Sequence, residues 1–381
     1  MVSCQKQETM EALTERVFQR AALQMELLDE NLDSVDREEG VAIYPRSIDT
    51  DGSLMTADYK WWCSGFYPGS LWLVYEYTGD EKFKDLALKY QAGLEPLRHR
   101  TTDHDIGFQL MCSFGNNLRL TGDSSCVAVL LDGARSLATR FDPEVGCTRS
   151  WDNNTYSFPV IIDNMMNLEL LLKAVELGGD DYLKNVAVTH AQTTMKNHFR
   201  EDASCWHVVD YDPQTGGVVG RMTWQGYNDD STWARGEGWA LYGYSMCYRE
   251  TGNQEFLDHA RKVARYILDH PNLPGDMVVY WDFDDPDIPN STRDVSAAAV
   301  MASAFYELST LDQANAKEFK AAADTMVKNI YDLYREGPGN KAGFILDHSR
   351  GARKFEIDVP LVYADYYFLE ALLRKRNIEN K

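Results

Sequence analysis

A short hinge in which glycine precedes aspartate or asparagine recurs along this chain of 381 residues. It reads YTGD at 77–80, LTGD at 120–123, LGGD at 177–180 and ETGN at 250–253, and STLDQA at 309–314 is a degenerate version without glycine. Glycine suits the left-handed backbone position that closes one helix, and the acid or amide that follows can cap the next helix. Because the hinge recurs, the chain is predicted to fold as a series of helix–turn–helix hairpins.

The segments before the hinges differ in polarity from those after them. Segments that are apolar on nearly all sides precede the hinges and close the chain, at 64–77, 105–120, 163–177, 231–250, 294–309 and 358–375. Amphipathic segments such as 80–94 and 253–270 follow the hinges, and another helix is predicted at about 9–31. Helices that are apolar all round are buried, whereas helices with one apolar stripe lie on the surface. Six of each kind predict an all-α (α/α)6 toroid, or six-hairpin barrel.

We expect this toroid to be one domain over residues 1–381, with 1–8 as a flexible tail and with minor β-hairpin excursions. Strand patterns are few. WHVVDYDP at 206–213 and VVGRMTW at 218–224 predict one hairpin, and DMVVYWDF at 276–283 predicts a short strand.

The composition argues against several classes of partner and cofactor. The net charge is −21, with 59 acidic against 38 basic residues, so nucleic acid and anionic membranes are poor partners. No segment approaches the roughly 20 apolar residues that span a bilayer, which predicts a soluble chain. The seven cysteines contain no C-x-x-C pair, and no glycine-rich nucleotide loop is present. We therefore predict neither a metal nor a cofactor.

The first residues leave the cellular compartment open. Cys4, followed by polar residues, resembles the start of a mature lipoprotein, which would place the chain in the periplasm or on a lipid anchor. The alternative is a cytoplasmic protein in which this cysteine has no special role.

Four aspartates stand at or just before predicted inner helices: Asp105, Asp163, Asp294 and Asp358. Helix capping is the simplest interpretation of each, and we keep it for the last two. Asp163 lies in IIDNMMNLELLL among apolar residues, and Asp105 lies in the acidic loop RTTDHDIGFQ at 100–109. Both settings raise a carboxyl pKa towards the range of a general acid. Two carboxylates across a cleft are the usual apparatus for cleaving glycosidic bonds.

The segment TWQGYNDDSTWARGEGWALYGY, 223–244, combines aromatic rings with Gln225 and Arg235. Aromatic faces stack on sugars and polar groups recognise hydroxyls, so this composition favours a carbohydrate cleft over a helix core alone. His207, in the hairpin that leads into this segment, is either a structural histidine or a site residue.

These motifs together resemble a known family. HDIGF, IIDNMMNLELLL, WQGYNDDSTWARGEGWALYGYSMCYRETGN and PLVYADYYFLEALLR resemble the unsaturated glucuronyl hydrolases, glycoside hydrolase family 88, over about 61–374. The resemblance implies removal of a 4,5-unsaturated uronic acid from the non-reducing end of oligosaccharides made by polysaccharide lyases. An acid would protonate C4, water would add at C5, and the resulting hemiketal would open and expel the neighbouring sugar.

The resemblance also implies roles for individual residues. Asp163 would be the acid/base, and Asp105 would hold substrate hydroxyls and tune Asp163. The family's substrate-binding residues fall on His207, Gln225, Arg235 and Trp239. Arg235 would offset the net negative charge at the substrate carboxylate, and a face of Trp62 or Trp239 would stack on the flattened sugar ring.

One motif departs from the family pattern. Members that favour sulfated disaccharides carry S-x-x-S-x-K, whereas this chain has SRGARK at 349–354, in which Ser349 and Lys354 match and Ala352 replaces the second serine. Disaccharides from chondroitin, hyaluronan or heparin are the expected substrates. An unsaturated rhamnogalacturonyl hydrolase, another toroid glycosidase and a non-catalytic sugar-binding relative stay open as alternatives.

Overall fold

A computed structural model describes residues 8–36, 42–335 and 342–380, so Cys4 and nearly all of the predicted tail lie outside the described residues. The helices are α1 Met10–Ser34, α2 Phe66–Thr78, α3 Glu81–Ala92, α4 Ile106–Leu110, α5 Asn116–Thr121, α6 Ser125–Ala138, α7 Asn164–Glu176, α8 Asp181–Asn197, α9 Ala234–Thr251, α10 Gln254–Asp269, α11 Val295–Leu311, α12 Ala316–Tyr334 and α13 Val362–Glu379. A π turn, Met111–Gly115, joins α4 to α5 into one inner helix.

The inner helices form a closed ring. Starting from α2, each inner helix contacts the next in chain order, and α13 packs back against α2. The outer helices α3, α6, α8, α10 and α12 return the chain between successive inner helices, and α1 packs against α2 and α12. All inner helices therefore run in the same direction and begin at one rim. This arrangement confirms the predicted (α/α)6 toroid.

The hinges close the hairpins as their residues predict. Gly79 and Gly122 adopt positive φ angles of 69° and 72° at the ends of α2 and α5. Asp80 and Asn253 then accept hydrogen bonds from backbone N–H groups in the first turns of α3 and α10. The hinge at 77–80 thus contributes hydrogen bonds to both helix ends that it joins.

Small antiparallel sheets lie between the helices. Their strands are β1 Ile43–Ile48, β2 Leu54–Asp58, β3 Phe141–Asp142, β4 Cys147–Thr148, β5 Pro159–Ile161, β6 Val208–Tyr211, β7 Val218–Met222, β8 Ser349–Arg350 and β9 Ile357–Val359. β6 and β7 confirm the predicted hairpin, and β5 adds a third strand to it. The predicted strand at 276–283 is wrong, because only isolated bridges through Tyr280 and Asp282 form there. The β1–β2 and β8–β9 hairpins had no clear signal in the sequence.

The main hydrophobic core continues through all the inner helices and the buried faces of the outer ones. Helix α11, for example, is buried from Val295 to Ser309. Within the described ranges, no helix combines the length and the apolar character needed to cross a membrane.

Candidate active site

Asp163 lies between strand β5 and helix α7, on the rim where the inner helices begin. Only 8% of the residue is exposed, and its side chain makes no capping hydrogen bond. Burial raises the pKa of Asp163 to about 7, against the opposing effects of Arg235, its own backbone N–H and Trp239. A carboxyl group with this pKa is partly protonated at neutral pH and can act as a proton donor.

Asp105 lies at the start of α4 and makes no capping hydrogen bond either. Burial is the main cause that raises its pKa well above the ordinary value, and the charges of Asp103 and Asp163 raise it further. Asn167 and Arg100 act in the opposite direction. The repulsion predicted for the acidic loop is therefore present. Because Asp105 and Asp163 interact, they titrate as a pair that retains a proton near neutral pH.

The two aspartates interpreted as caps have different outcomes. Asp294 does cap α11, since its carboxylate accepts hydrogen bonds from the backbone N–H groups of Ser296 and Ala297 at 3.1 and 3.3 Å. The capping role predicted for Asp358 is wrong. This residue lies in β9 at the irregularity of its pairing with β8, where its φ angle is +58°, and α13 begins only at Val362. Its carboxylate contacts His348 Nδ1 at 2.8 Å.

The three-stranded sheet brings His207 opposite Asp163. Ile161 pairs with Val208 across the sheet, and His207 Nε2 lies 3.7 Å from Asp163 Oδ2. His207 Nδ1 accepts hydrogen bonds from the backbone N–H groups of Trp224 and Gln225 at 3.1 and 3.2 Å. These bonds require the proton to be on Nε2. Burial lowers the pKa of His207 to about 3, so a neutral ring directs its N–H towards Asp163.

Arg235 is buried in the first turn of α9 and binds other parts of the protein. It forms an ion pair with Asp294 at 2.6 Å and donates to the carbonyl oxygen of Arg350 at 2.7 Å. A further hydrogen bond goes to the carbonyl oxygen of Gly351. Arg235 thus anchors the SRGARK loop to the ring and contributes positive charge beside Asp163, but most of its guanidinium is already occupied.

Of the two tryptophans expected to stack on the sugar, one is fully buried. Trp239 is 0% exposed and meets Phe108 and Tyr367 edge to face. Its ring face is therefore not available to a sugar, which corrects the stacking role, although its indole N–H remains close to Asp163. Trp62 is half-buried and packs against Phe108 and Tyr363, so its stacking on a sugar stays a prediction.

The remaining predicted residues lie around the SRGARK loop, but they point in different directions. Gln225 donates a hydrogen bond from Nε2 to the carbonyl oxygen of Gly351 at 3.0 Å. Ser349 is fully buried, and its hydroxyl accepts from the backbone N–H of Ser296 at 3.1 Å. Lys354 is exposed and lines a cleft of about 410 Å³ with Trp224 and Phe355. The structure therefore does not bring Ser349 and Lys354 together on one surface.

Several buried polar atoms around the two acids have no hydrogen-bond partner among the residues that the structure describes. They are His104 Nε2, Asp163 Oδ2, His207 Nε2, Arg235 Nε and Trp239 Nε1. Buried polar groups are rarely left unpaired, because each one costs about 1–3 kcal/mol. The atoms around the two acids are therefore available to bind a polar ligand.

One group of side chains here has the composition of a cation site. Ligand atoms of Asp103, His104 and Asp105 lie within 4.8 Å of one another. However, Asp103 already pairs with Arg100 at 2.7 Å and accepts from the backbone N–H of Asp105 at 3.0 Å. These existing bonds explain the arrangement without a metal, so we assign none.

Asn167 was missed by the sequence analysis. It is 1% exposed and lies one helical turn after Asp163, with its amide nitrogen beside the Asp105 carboxylate and the backbone carbonyl of Asp163. The available signal was a polar residue at position i+4 from Asp163 within an otherwise apolar helix. Polar residues on the buried face of a helix usually have a partner, and here the partner belongs to another inner helix.

Comparison with known proteins identifies a family to which this chain is similar. The sequence profile of Glycosyl Hydrolase Family 88 matches residues 44–369. An unsaturated glucuronyl hydrolase of Formosa agariphila is 43% identical over 346 residues, which cover 89% of this chain and 86% of the relative. Another, of Bacillus sp. strain GL1, is 36% identical over 87% of this chain and 90% of its own. The crystal structure of an unsaturated glucuronyl hydrolase specific for heparin superimposes with a TM-score of 0.90 at 41% identity, covering 96% of this chain and 98% of the other.

Proposed function

The chain belongs to glycoside hydrolase family 88, and from this membership we propose that it is a glycosidase that hydrates the 4,5 double bond of an unsaturated uronic acid. The substrate is an oligosaccharide produced by a polysaccharide lyase, with the unsaturated residue at its non-reducing end. Glycosaminoglycan disaccharides are the substrate class we favour, because the solved relative is specific for heparin. Hydration leads to release of the uronic acid.

The burial of Asp163 at a helix start that it does not cap, together with its raised pKa, is the observation that carries this proposal. The residue occupies the N-cap position of α7 without capping it, and burial raises its pKa to about 7. Protonation of carbon needs an acid that still holds its proton near neutral pH, whereas an ordinary aspartate, with a pKa near 3.9, does not. A dedicated cap would be stabilised as the anion by the helix N-terminus.

In the proposed reaction, the Asp163 carboxyl group transfers its proton to C4, and the electron pair of the double bond forms the new C–H bond. The positive charge that develops at C5 is shared with the ring oxygen. Water adds at C5 and loses a proton to the Asp163 carboxylate, which restores the acid. The hemiketal then opens to a C5 ketone, and the hemiacetal at C1 collapses and expels the neighbouring sugar.

The other site residues would bind and orient the substrate. His207 offers a neutral N–H beside Asp163, and this group can donate a hydrogen bond without competing for the proton. The Asp105 carboxylate can accept hydrogen bonds from sugar hydroxyls. Arg235 acts mainly through its charge and by holding the SRGARK loop in place, because Asp294 and two carbonyl oxygens occupy its guanidinium.

An ultraviolet assay tests the proposal directly, because the double bond conjugated to the carboxylate absorbs and its hydration removes the absorbance. Purified protein is incubated with unsaturated disaccharides of chondroitin, hyaluronan and heparin, and loss of absorbance is the expected result. If all three keep their absorbance, the proposal is contradicted. Turnover only of pectin-derived unsaturated galacturonides would select a rhamnogalacturonyl hydrolase. Tight binding without turnover would select a sugar-binding relative.

We further propose that the exposed cations in the cleft lined by Trp224, Lys354 and Phe355 favour a sulfated sugar in the leaving position. Lys354 and Arg353 line this cleft with the largely exposed ring of Trp224. A sulfate would gain charge-assisted hydrogen bonds there. The solved relative that is specific for heparin supports this preference.

The sulfate preference is tested with Lys354→Ala. We expect KM to rise roughly 5- to 20-fold for sulfated disaccharides, which corresponds to about 1–2 kcal/mol of a charge-assisted bond, and to stay unchanged for unsulfated ones. Lys317→Ala, which removes an exposed lysine from α12, is the matched control. Equal KM changes for both kinds of substrate would contradict the preference.

A further inference from the structure

The start of helix α4 is capped by a residue from another helix. Asp105 occupies the N-cap position, but its carboxylate makes no bond to the first turn. The backbone N–H of Phe108, in that turn, instead donates to Asn167 Oδ1 on α7 at 2.8 Å. The amide of Asn167 thus supplies the bond that an N-cap aspartate would ordinarily make.

The other end of the same amide points at the acid that it replaces. Asn167 Nδ2 lies 3.4 Å from Asp105 Oδ1 and 3.5 Å from the carbonyl oxygen of Asp163. It also lies 3.4 Å from His104 Nδ1. Because Oδ1 is held by the Phe108 N–H, the amide orientation is determined, and its N–H₂ group must face the Asp105 carboxylate and the backbone carbonyl of Asp163.

Close packing of α4 on α7 makes this contact achievable. A Cβ atom added to Gly107 would lie 2.5 Å from the Cα of Asn167 and 2.6 Å from its Oδ1. Glycine is therefore required at this position for the start of α4 to reach the side chain of Asn167. The two helices that carry the acids meet at this residue pair.

We propose that Asn167 is a positioning residue for Asp105: its amide caps α4 in place of the Asp105 carboxylate and donates to that carboxylate, which is thereby free to face the substrate. The inference rests on the proposed function, in which Asp105 accepts hydrogen bonds from the substrate as an anion.

The same contact affects which acid holds the shared proton. Asp105 faces Asp103, His104 and Arg100 from its own loop, Asp163 and Asn167 from α7, and the Cys63 thiol from the segment before α2. Asn167 and Arg100 are the groups that favour its ionised form. The Asn167 N–H opposes the rise in the pKa of Asp105 that burial and the neighbouring acids cause, so it shifts the shared proton towards Asp163, where the reaction needs it.

Asn167→Asp separates the two roles of the amide. The new carboxylate keeps an oxygen that can accept from Phe108 N–H, so the cap and the fold are retained. It loses the N–H donor and adds a negative charge beside Asp105. We expect kcat to fall at least tenfold and the acidic limb of the pH profile of kcat/KM to move upward by about one pH unit. The matched control is Asn116→Asp, because Asn116 is also a buried amide on an inner helix, but it contacts Cys112 and Tyr366 rather than the acids.

The inference would be overturned if the acidic limb of Asn167→Asp coincided with that of the wild-type protein and its melting temperature fell by as much as that of Asn116→Asp. A merely structural role predicts this result. If Asn167→Asp does not fold, Asn167→Ser removes both contacts without adding charge. An unchanged kcat in that variant would overturn the inference, and a tenfold loss would support it. Wild-type activity is measured first in the same assay, so that its absence would count against the proposed function and not against the role of Asn167.

Discussion

At the scale of single residues, the same side chain at the same helix position serves two purposes in this protein. Asp294 and Asp163 both stand at the N-cap of an inner helix, and only Asp294 bonds to the helix backbone. Asp294 is also paired with Arg235 at 2.6 Å, which compensates its burial. Asp163 lacks such a direct partner, so burial favours its protonated form. Whether such an aspartate acts as a cap or as a proton donor therefore depends on its partner and not on its helix position.

Asp163→Asn removes the proposed proton donor while keeping the shape of the side chain. We expect kcat to fall by about 10²–10⁴-fold, the usual contribution of general acid–base catalysis, with substrate binding retained. Absorbance decay gives kcat, and calorimetry gives the affinity. Asp180→Asn, which alters an exposed cap of α8, should leave both unchanged. Full activity of Asp163→Asn would rule out the assignment of the acid.

The raised pKa of Asp163 predicts the alkaline limb of the pH profile. Asp163 must be protonated to act, and its pKa is about 7. We therefore expect kcat/KM to fall about tenfold for each pH unit above this value. Rates of absorbance loss between pH 5 and 9 measure the profile, and they report the apparent pKa values of the Asp105–Asp163 pair. A rate that stays constant up to pH 9 would be inconsistent with Asp163 as the donor.

At the scale of secondary-structure elements, the hinges build the ring and the strands build the site. The hinges that contain glycine turn the chain with a left-handed residue, and Asp80, Asp180 and Asn253 cap the helices that follow three of them. Both signals are local in the sequence. The sheet of β5, β6 and β7 has a different role. It aligns the residue after β5 with the residue before β6, which places Asp163 beside His207.

Gly122→Ala tests the contribution of a hinge. The φ angle of Gly122 is +72°, and a Cβ atom there would meet nothing within 4 Å, so the cost is backbone strain alone. We expect the free energy of unfolding to fall by about 1 kcal/mol, measured by denaturant titration. Gly275→Ala is the control, because that glycine also has open space around it but no positive φ angle. Equal effects of the two substitutions would contradict the strain argument.

At the scale of the whole molecule, an ionic cluster joins inner helices near their C-terminal ends. Glu307 on α11 pairs with Arg249 on α9 and with Arg374 on α13, the latter at 2.8 Å. Burial alone would raise the pKa of Glu307, but the two arginines hold it below the ordinary value. Three consecutive inner helices are therefore joined through one buried carboxylate, at the end opposite the candidate site.

Glu307→Ala should destabilise the toroid strongly, because it leaves two arginines without their shared partner. We expect a loss of about 3 kcal/mol in the free energy of unfolding. Glu318→Ala breaks an exposed pair with Arg265 on outer helices and should cost about 1 kcal/mol or less. Thermal and denaturant unfolding of both variants provide the comparison. If the two losses were similar, the joining role of Glu307 would be refuted.

Local sequence patterns predict the helices and strands of this protein more reliably than the contacts between them. Six helix pairs, the hinges and the β6–β7 hairpin follow from periodicity and turn residues, which depend on neighbours along the chain. Asp358 was misinterpreted because its neighbours resemble a helix start, whereas the pairing of β8 with β9 places it at an irregularity with a positive φ angle, before α13 begins. The stacking role of Trp239 failed for a related reason, since exposure depends on which helices pack around the ring.

By itself, the sequence determined that this protein is a ring of six helix pairs and that acids stand where its inner helices begin, because both properties are encoded by local patterns of polarity and by single turn residues. The tertiary structure alone decided which acid is a cap and which keeps its proton. That outcome depends on burial and on partners such as Arg235, His207 and Asn167, which come from other elements of the ring and have no fixed spacing from the acids along the chain.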